Sequence, residues 1–224
     1  MLILYGGLRV CLGEKLECQF GVANYYIVGD LYSCEVTSLD NAFNKLTIDG
    51  CTGTHLAYKN YTDVKGIWIH DTNTKYIPAG IGILFYLIAF SVVNSQLVAM
   101  KSEDFQGMQN LEYLYLANNK LTSVSSDAFA TLTQLRYINL RSNLINYMGS
   151  GLFDKLTNLN EVYLSGNICV TKLYEGTTAI IQLKHDVKSK CMNPNDPYEI
   201  INNLQQEIKE LKSQLSKSND DLKK

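Results

Sequence analysis

The chain has 224 residues, 46% of them apolar, and a net charge of −2. That is enough apolar material for one domain with a core and too much for a disordered chain. The near-neutral balance gives no electrostatic footprint for nucleic acid.

The first residues, MLILYGGLRVCLG, are apolar with a small residue at Gly13, but Arg9 interrupts them. Residues 1–13 read either as a secretory signal or its remnant, or as the first strand of a cap. Residues 14–63 then read as an N-terminal cap. CQFGVANYYIVGDLYSCEV holds two runs rich in valine, tyrosine and isoleucine about a turn near Gly29–Asp30, a β-hairpin that a Cys18–Cys34 disulfide would bridge. LTIDG, at Leu46–Gly50, adds a short strand. Cys51 has Cys11 as its mate only if Cys11 survives processing. Asn60-Tyr61-Thr62 is a sequon, open to glycosylation in a secreted protein.

Residues 64–168 carry a repeat. LEYLYLANNKL at Leu111–Leu121, LRYINLRSNLI at Leu135–Ile145 and LNEVYLSGNIC at Leu159–Cys169 recur every 24 residues. Each has apolar residues at the first, fourth and sixth places and an asparagine at the ninth: Asn119, Asn143 and Asn167. Such a unit cannot bury its own apolar side and must stack on copies of itself. The pattern runs back through Leu87 to Val64, where Ser95 and Thr72 replace the asparagine, giving five units. An asparagine at the bend predicts a ladder of side-chain bonds between coils, weaker where serine and threonine stand in. A second register, Phe105, Phe129 and Phe153, predicts an aromatic spine, and a third joins Ile77, Met100, Val124 and Met148. The run IGILFYLIAFSVV at Ile81–Val93 is too short to span a membrane and falls in phase with the second unit, so it reads as buried coil.

Residues 169–193 predict a C-terminal cap, with a helix ending at Cys191 tied to the last coil by a Cys169–Cys191 disulfide. In 198–224, Ile201, Leu204, Ile208, Leu211, Leu215 and Leu222 follow an a/d heptad seam. It predicts an amphipathic helix that pairs with another chain or folds back on the solenoid. The fold expected is an α/β solenoid: a short right-handed array of about five coils, disulfide-stapled caps and a C-terminal heptad helix.

The strand residues pointing away from the core place Trp68, His70, Tyr113, Tyr115, Tyr137, Asn139, Arg141, Glu161 and Tyr163 on the concave face. Tyrosine, tryptophan and arginine dominate protein interfaces, so this face is the expected site for a protein partner, with carbohydrate as a remoter alternative. The three histidines lie in separate elements, and no catalytic set, metal site or cofactor motif emerges. The alternative function is a scaffold associating through its C-terminal coiled coil.

The repeats and the Cys169/Cys191 pair resemble the extracellular leucine-rich repeat family. The cap opening CQF…YSCEV with DVKGIWI and IPAGI is similar to secreted leucine-rich repeat proteins of flies, midges and mosquitoes. The heptad segment resembles that of mosquito immune leucine-rich repeat proteins, whose arrays and coiled coils are longer. The resemblance implies secretion, protein recognition and a role in innate immunity.

Overall fold

The computed structural model describes residues 4–5, 8–9, 14–36, 38–39, 48–84, 86–191, 201, 204–205, 207–209, 211–213 and 215. It divides into a unit of Met1–Cys191 and a second of Met192–Lys224.

In the first unit, β1 (Leu4–Tyr5) and β2 (Leu8–Arg9) form an antiparallel pair. The hairpin of β4 (Gln19–Tyr25) and β5 (Gly29–Val36) follows β3 (Glu14–Glu17), which pairs in parallel with β6 (Ile48–Thr52). The hairpin turns at Tyr26–Val28, ahead of the Gly29–Asp30 position expected, with Gly29 at φ 80° closing it. The Cys18–Cys34 disulfide staples its base. Cys51 is a free thiol, and Cys11 lies outside the described residues.

From β5 the sheet runs parallel through β7 (Gly66–His70), β8 (Ala89–Val93), β9 (Tyr113–Tyr115), β11 (Tyr137–Asn139) and β13 (Glu161–Tyr163). On the far side of the coil, β10 (Ser123–Val124) pairs in parallel with β12 (Tyr147–Met148). The repeat units thus make a solenoid of about four turns, from β7 to β13. The fifth unit supplies a strand but closes no coil. After Cys169 the chain reverses into β14 (Leu173–Glu175), antiparallel to β13, and enters helix α2 (Thr177–Lys190).

Alternation along each strand explains the stacking. Ile67, Ile69, Phe90, Val92, Leu114, Leu116, Ile138, Leu140, Val162 and Leu164 point inward and are fully buried. Phe105, Phe129 and Phe153 lie behind them, with ring centroids 6.2 and 6.4 Å apart. Each bend is held by its asparagine. Asn143 Nδ2 donates to the Leu116 and Leu140 carbonyls, both at 3.0 Å, and its Oδ1 accepts from the Leu121 amide at 3.1 Å. Asn119 and Asn167 repeat the pattern. In the first coils, Thr72 Oγ1 meets Ser95 Oγ at 3.0 Å, and Ser95 donates to the Val93 carbonyl.

The Ile81–Val93 run is not uniformly buried. It opens as a single helical turn, α1 (Ile81–Leu84), and Tyr86 is exposed with the Lys65 ammonium 5.2 Å from its ring centroid. Among the described residues, no helix is long and apolar enough to cross a membrane.

Helix α2 buries Ile180, Leu183 and Val187 on one face and ends at the Cys169–Cys191 disulfide. Tyr174 donates to Asp186 Oδ2 at 2.7 Å, and Gln182 and Lys190 contact Oδ1. These donors hold the Asp186 carboxyl down at about 2. In the second unit the described residues are helical, and Ile201, Leu204, Ile208, Leu211 and Leu215 are each 50–63% exposed. Leu222 lies outside the described residues.

Candidate functional site: the outer face of the sheet

The parallel register lines up the residues facing away from the core. One line runs Ser33, Gly66, Ala89, Tyr113, Tyr137 and Glu161; the next runs Glu35, Trp68, Ser91, Tyr115, Asn139 and Tyr163. Tyr113 and Tyr137 stack face to face, with centroids 4.6 Å apart and planes inclined by 6°. Tyr163 continues the stack 5.4 Å beyond Tyr137.

This face is not the open surface that the sequence implies. Tyr113, Tyr137, Asn139 and Glu161 are buried, Tyr115, Tyr163 and His70 half-buried, and only Trp68 and Arg141 exposed. The cause is the hairpin. β5 pairs with β7 only from Ser33 onward, so the rest of the hairpin overhangs the sheet. Its end packs onto the outer face, where Tyr25, Ala89, Tyr113 and Tyr137 form a second, smaller apolar cluster bordered by Ile27, Val28 and Leu31. Tyr25 meets Tyr113 edge-on at 5.5 Å, and Tyr26 meets Tyr137 edge-on at 6.0 Å. Gly66 makes room for this. A Cβ there would lie 2.4 Å from Ser33 Oγ and 2.5 Å from the Tyr25 hydroxyl oxygen.

The cover shows in the acid–base properties. Burial raises the Tyr113 phenol well above its usual range and pushes Tyr137 up to about 12. Burial also raises Glu161, with Glu175 directly across the β13–β14 ladder adding to the rise. Asn139 Nδ2 donates to the Tyr137 hydroxyl at 3.0 Å and its Oδ1 accepts from the Arg141 amide, so Asn139 serves the interior of the patch. The Tyr25 phenol is raised by burial, which the nearby Ser33 hydroxyl opposes and Glu35 reinforces. Ser33 donates to the Leu31 carbonyl, and the Tyr25 hydroxyl oxygen beside it is closed to solvent.

At one end His70 is clamped between two acids. Its Nε2 is 2.8 Å from Glu35 Oε1 and its Nδ1 2.8 Å from Asp71 Oδ2, with the Trp68 ring 4.7 Å away. The Asp71 bond raises the imidazole, burial opposes it, and Glu35 adds to the rise. The other histidines lie elsewhere. His55 stacks on Phe20 at 3.8 Å with its Nδ1 2.8 Å from the Tyr32 hydroxyl, and His185 is on the exposed side of α2. Between the hairpin and β7–β9 lies a cavity of about 550 Å³, walled by Trp68, Tyr25, Tyr113, Tyr115, Glu35 and Asn118 among others. Its chemistry is that of a holding site: aromatic faces, amides and one carboxylate.

Two stretches, residues 87–145 and 109–168, match the model of the leucine rich repeat. Together they cover residues 87–168, the central part of the solenoid. No curated protein matches the chain. Solved structures similar to it include chains from the Toll–Spatzle complex of Drosophila, in two forms. One is 25% identical over 54% of this chain and 17% of its own length, with a TM-score of 0.45. The other, the glycosylated form, is 29% identical over 47% and 14%, also with a TM-score of 0.45. The chain therefore spans under a fifth of those structures' chains.

Two features of the repeat array escaped the sequence reading. The residue before each ladder position is in the left-handed region: Asp71, Asn94, Asn118, Ser142 and Gly166, at φ 51 to 74°. Asp, Asn and Gly tolerate that conformation, and their periodic recurrence was the available signal. Tyr25 and Tyr26 were the other omission. A hairpin turn written Tyr-Ile-Val, with no polar residue, has to be covered by something, and here it lies on Tyr113 and Tyr137.

Proposed function

We propose that this chain is a secreted, non-enzymatic binding protein that recognises a protein partner on the outer face of its repeat sheet. The observation carrying this reading is the aromatic array on stacked parallel strands, of which Trp68, Tyr115, Tyr163 and Arg141 keep solvent-accessible surface. Rigid aromatics lose little entropy on binding, and their fixed spacing suits a protein surface. The exposed Tyr26 extends the same patch from the hairpin. The two disulfides favour an oxidising compartment. Asn60 is exposed, its Oδ1 accepts from Thr62, and glycosylation of it follows from secretion. An immune role follows only from the resemblance.

The test is capture of partners from the native fluid by the intact protein and by a Tyr115→Ala/Tyr163→Ala variant. The reading expects the same partner at least ~10-fold more weakly held by the variant, which still unfolds cooperatively. Equal capture by both overturns it.

The exposed apolar seam of Ile201, Leu204, Ile208, Leu211 and Leu215 favours a second reading, association through the C-terminal helix. Removing residues 198–224 then lowers the mass seen by light scattering from a multiple of the chain to that of one chain. The same number of chains per particle before and after the deletion excludes it.

A further inference from the structure

The cavity between the hairpin and the repeat sheet has an unusual charge balance. Among the described residues, Glu35 is its one acidic wall residue, and no lysine or arginine lines it. Beside it, Glu35 and Asp71 share a single imidazole, that of His70. Even with that imidazole protonated, two carboxylates face one cation, so the end of the cavity stays negative. The walls are aromatic: Trp68, Tyr115, Tyr113 and Tyr25. Aromatic faces attract cations through their quadrupoles, and more strongly when water is excluded. Tyr25, only 5% exposed, presents its ring to the wall, its hydroxyl oxygen being closed off beside Ser33. Asn118 Nδ2 is spent on Asn94 Oδ1 at 2.8 Å, which leaves the Asn118 side-chain oxygen as a further acceptor at the cavity wall.

We propose that this cavity receives the guanidinium or ammonium group of a basic side chain from the protein partner, between Trp68 and Tyr115 and against Glu35. The inference rests on the outer-face reading above and names the chemistry of the anchor. An anion finds no positive group among the described wall residues. A neutral saccharide could stack on the same rings but would gain nothing from the unbalanced carboxylate. A basic side chain uses the rings, the carboxylate and the Asn118 acceptor together.

Trp68 is the only tryptophan in the chain, so red-edge fluorescence reports this cavity alone. The full chain is titrated with N-acetyl-argininamide, with its neutral counterpart N-acetyl-citrullinamide, and with cellobiose. The expected result is saturable quenching by the argininamide at a concentration ~10-fold or more below that of either neutral probe. Glu35→Gln weakens the argininamide response ~10-fold. Val22→Lys, at an exposed residue of the cavity wall, weakens it likewise without touching the core. A citrullinamide or cellobiose response equal to that of argininamide, no saturable response to argininamide, or an unchanged response in Val22→Lys overturns the proposal. If argininamide fails while Tyr115→Ala/Tyr163→Ala still loses the partner, the anchor is wrong and the binding face stands. If argininamide binds and that variant keeps its partner, the face is wrong and the cavity stands as a cation site.

Discussion

Asn143→Ala measures how much of the solenoid's stability lies in its bends. The side chain makes three bonds to buried backbone and a longer one, at 3.3 Å, to the Arg141 carbonyl, which the Asn118 amide also reaches, but their loss is not equal. The Leu116 carbonyl also accepts from Asn119, and the Leu140 carbonyl also accepts from Asn167 at 2.8 Å. Both therefore keep a partner in the variant. The Leu121 amide does not, since Asn143 Oδ1 is its acceptor and the site is closed to water. One orphaned buried amide costs ~1–3 kcal/mol, and two carbonyl bonds lost with a partner remaining cost ~0.5–1 kcal/mol each. The sum is ~3 kcal/mol, with a range of ~2–5 kcal/mol. Asn167→Ala orphans the Ile145 amide in the same way, but Asn167 is half-buried and water can replace it. Its cost is therefore ~1–2 kcal/mol. The assay is urea unfolding of both variants, read from the midpoint at constant slope. A loss below ~1 kcal/mol for Asn143→Ala, or one no larger than for Asn167→Ala, refutes the reasoning.

Gly66→Ala should destabilise by ~1–3 kcal/mol, because its methyl displaces the Tyr25 ring, and should quicken proteolysis within the hairpin; an unchanged cleavage rate contradicts the packing of Tyr25 on the sheet. His70 has its folded-state imidazole raised, so the stability it lends is fully present below about pH 6.5 and is lost as pH rises through the higher folded value. The stability gap between wild type and His70→Gln should accordingly shrink as pH rises above about 6.5 and through the raised folded-state value, and a constant gap contradicts the Glu35–His70–Asp71 clamp. Cys51 is a free thiol raised by burial, so iodoacetamide should modify it without reductant, more slowly than a model thiol; no modification of Cys51 in the unreduced protein would mean that it is bonded.

The repeat was legible because period is a property of sequence. The inward leucines, the phenylalanine register and the asparagines each recur at a fixed spacing, and stacking follows from burial alone. The two disulfides were legible because their cysteines stand at the ends of the array. The number of closed coils was less so. Cys169 occupies a repeat position, yet the chain beyond it reverses, and that reversal depends on where α2 finds apolar surface. Accessibility of the outer face was the least legible. Tyr113 and Tyr115 are indistinguishable by alternation, but one is covered by Tyr25 and the other is not. The difference comes from the overhang of one hairpin, a contact between residues 25 and 113 that no local pattern encodes.

The two outermost strands of the large sheet, β4 and β14, both run against their neighbours. A stack of parallel coils ending in a parallel strand would offer each new molecule an edge in register for one more coil, and with it a route to filaments. Here an approaching copy would meet a strand of the opposite sense at either end. Growth of the coil is thus halted by direction, in addition to the polar covering that a cap provides.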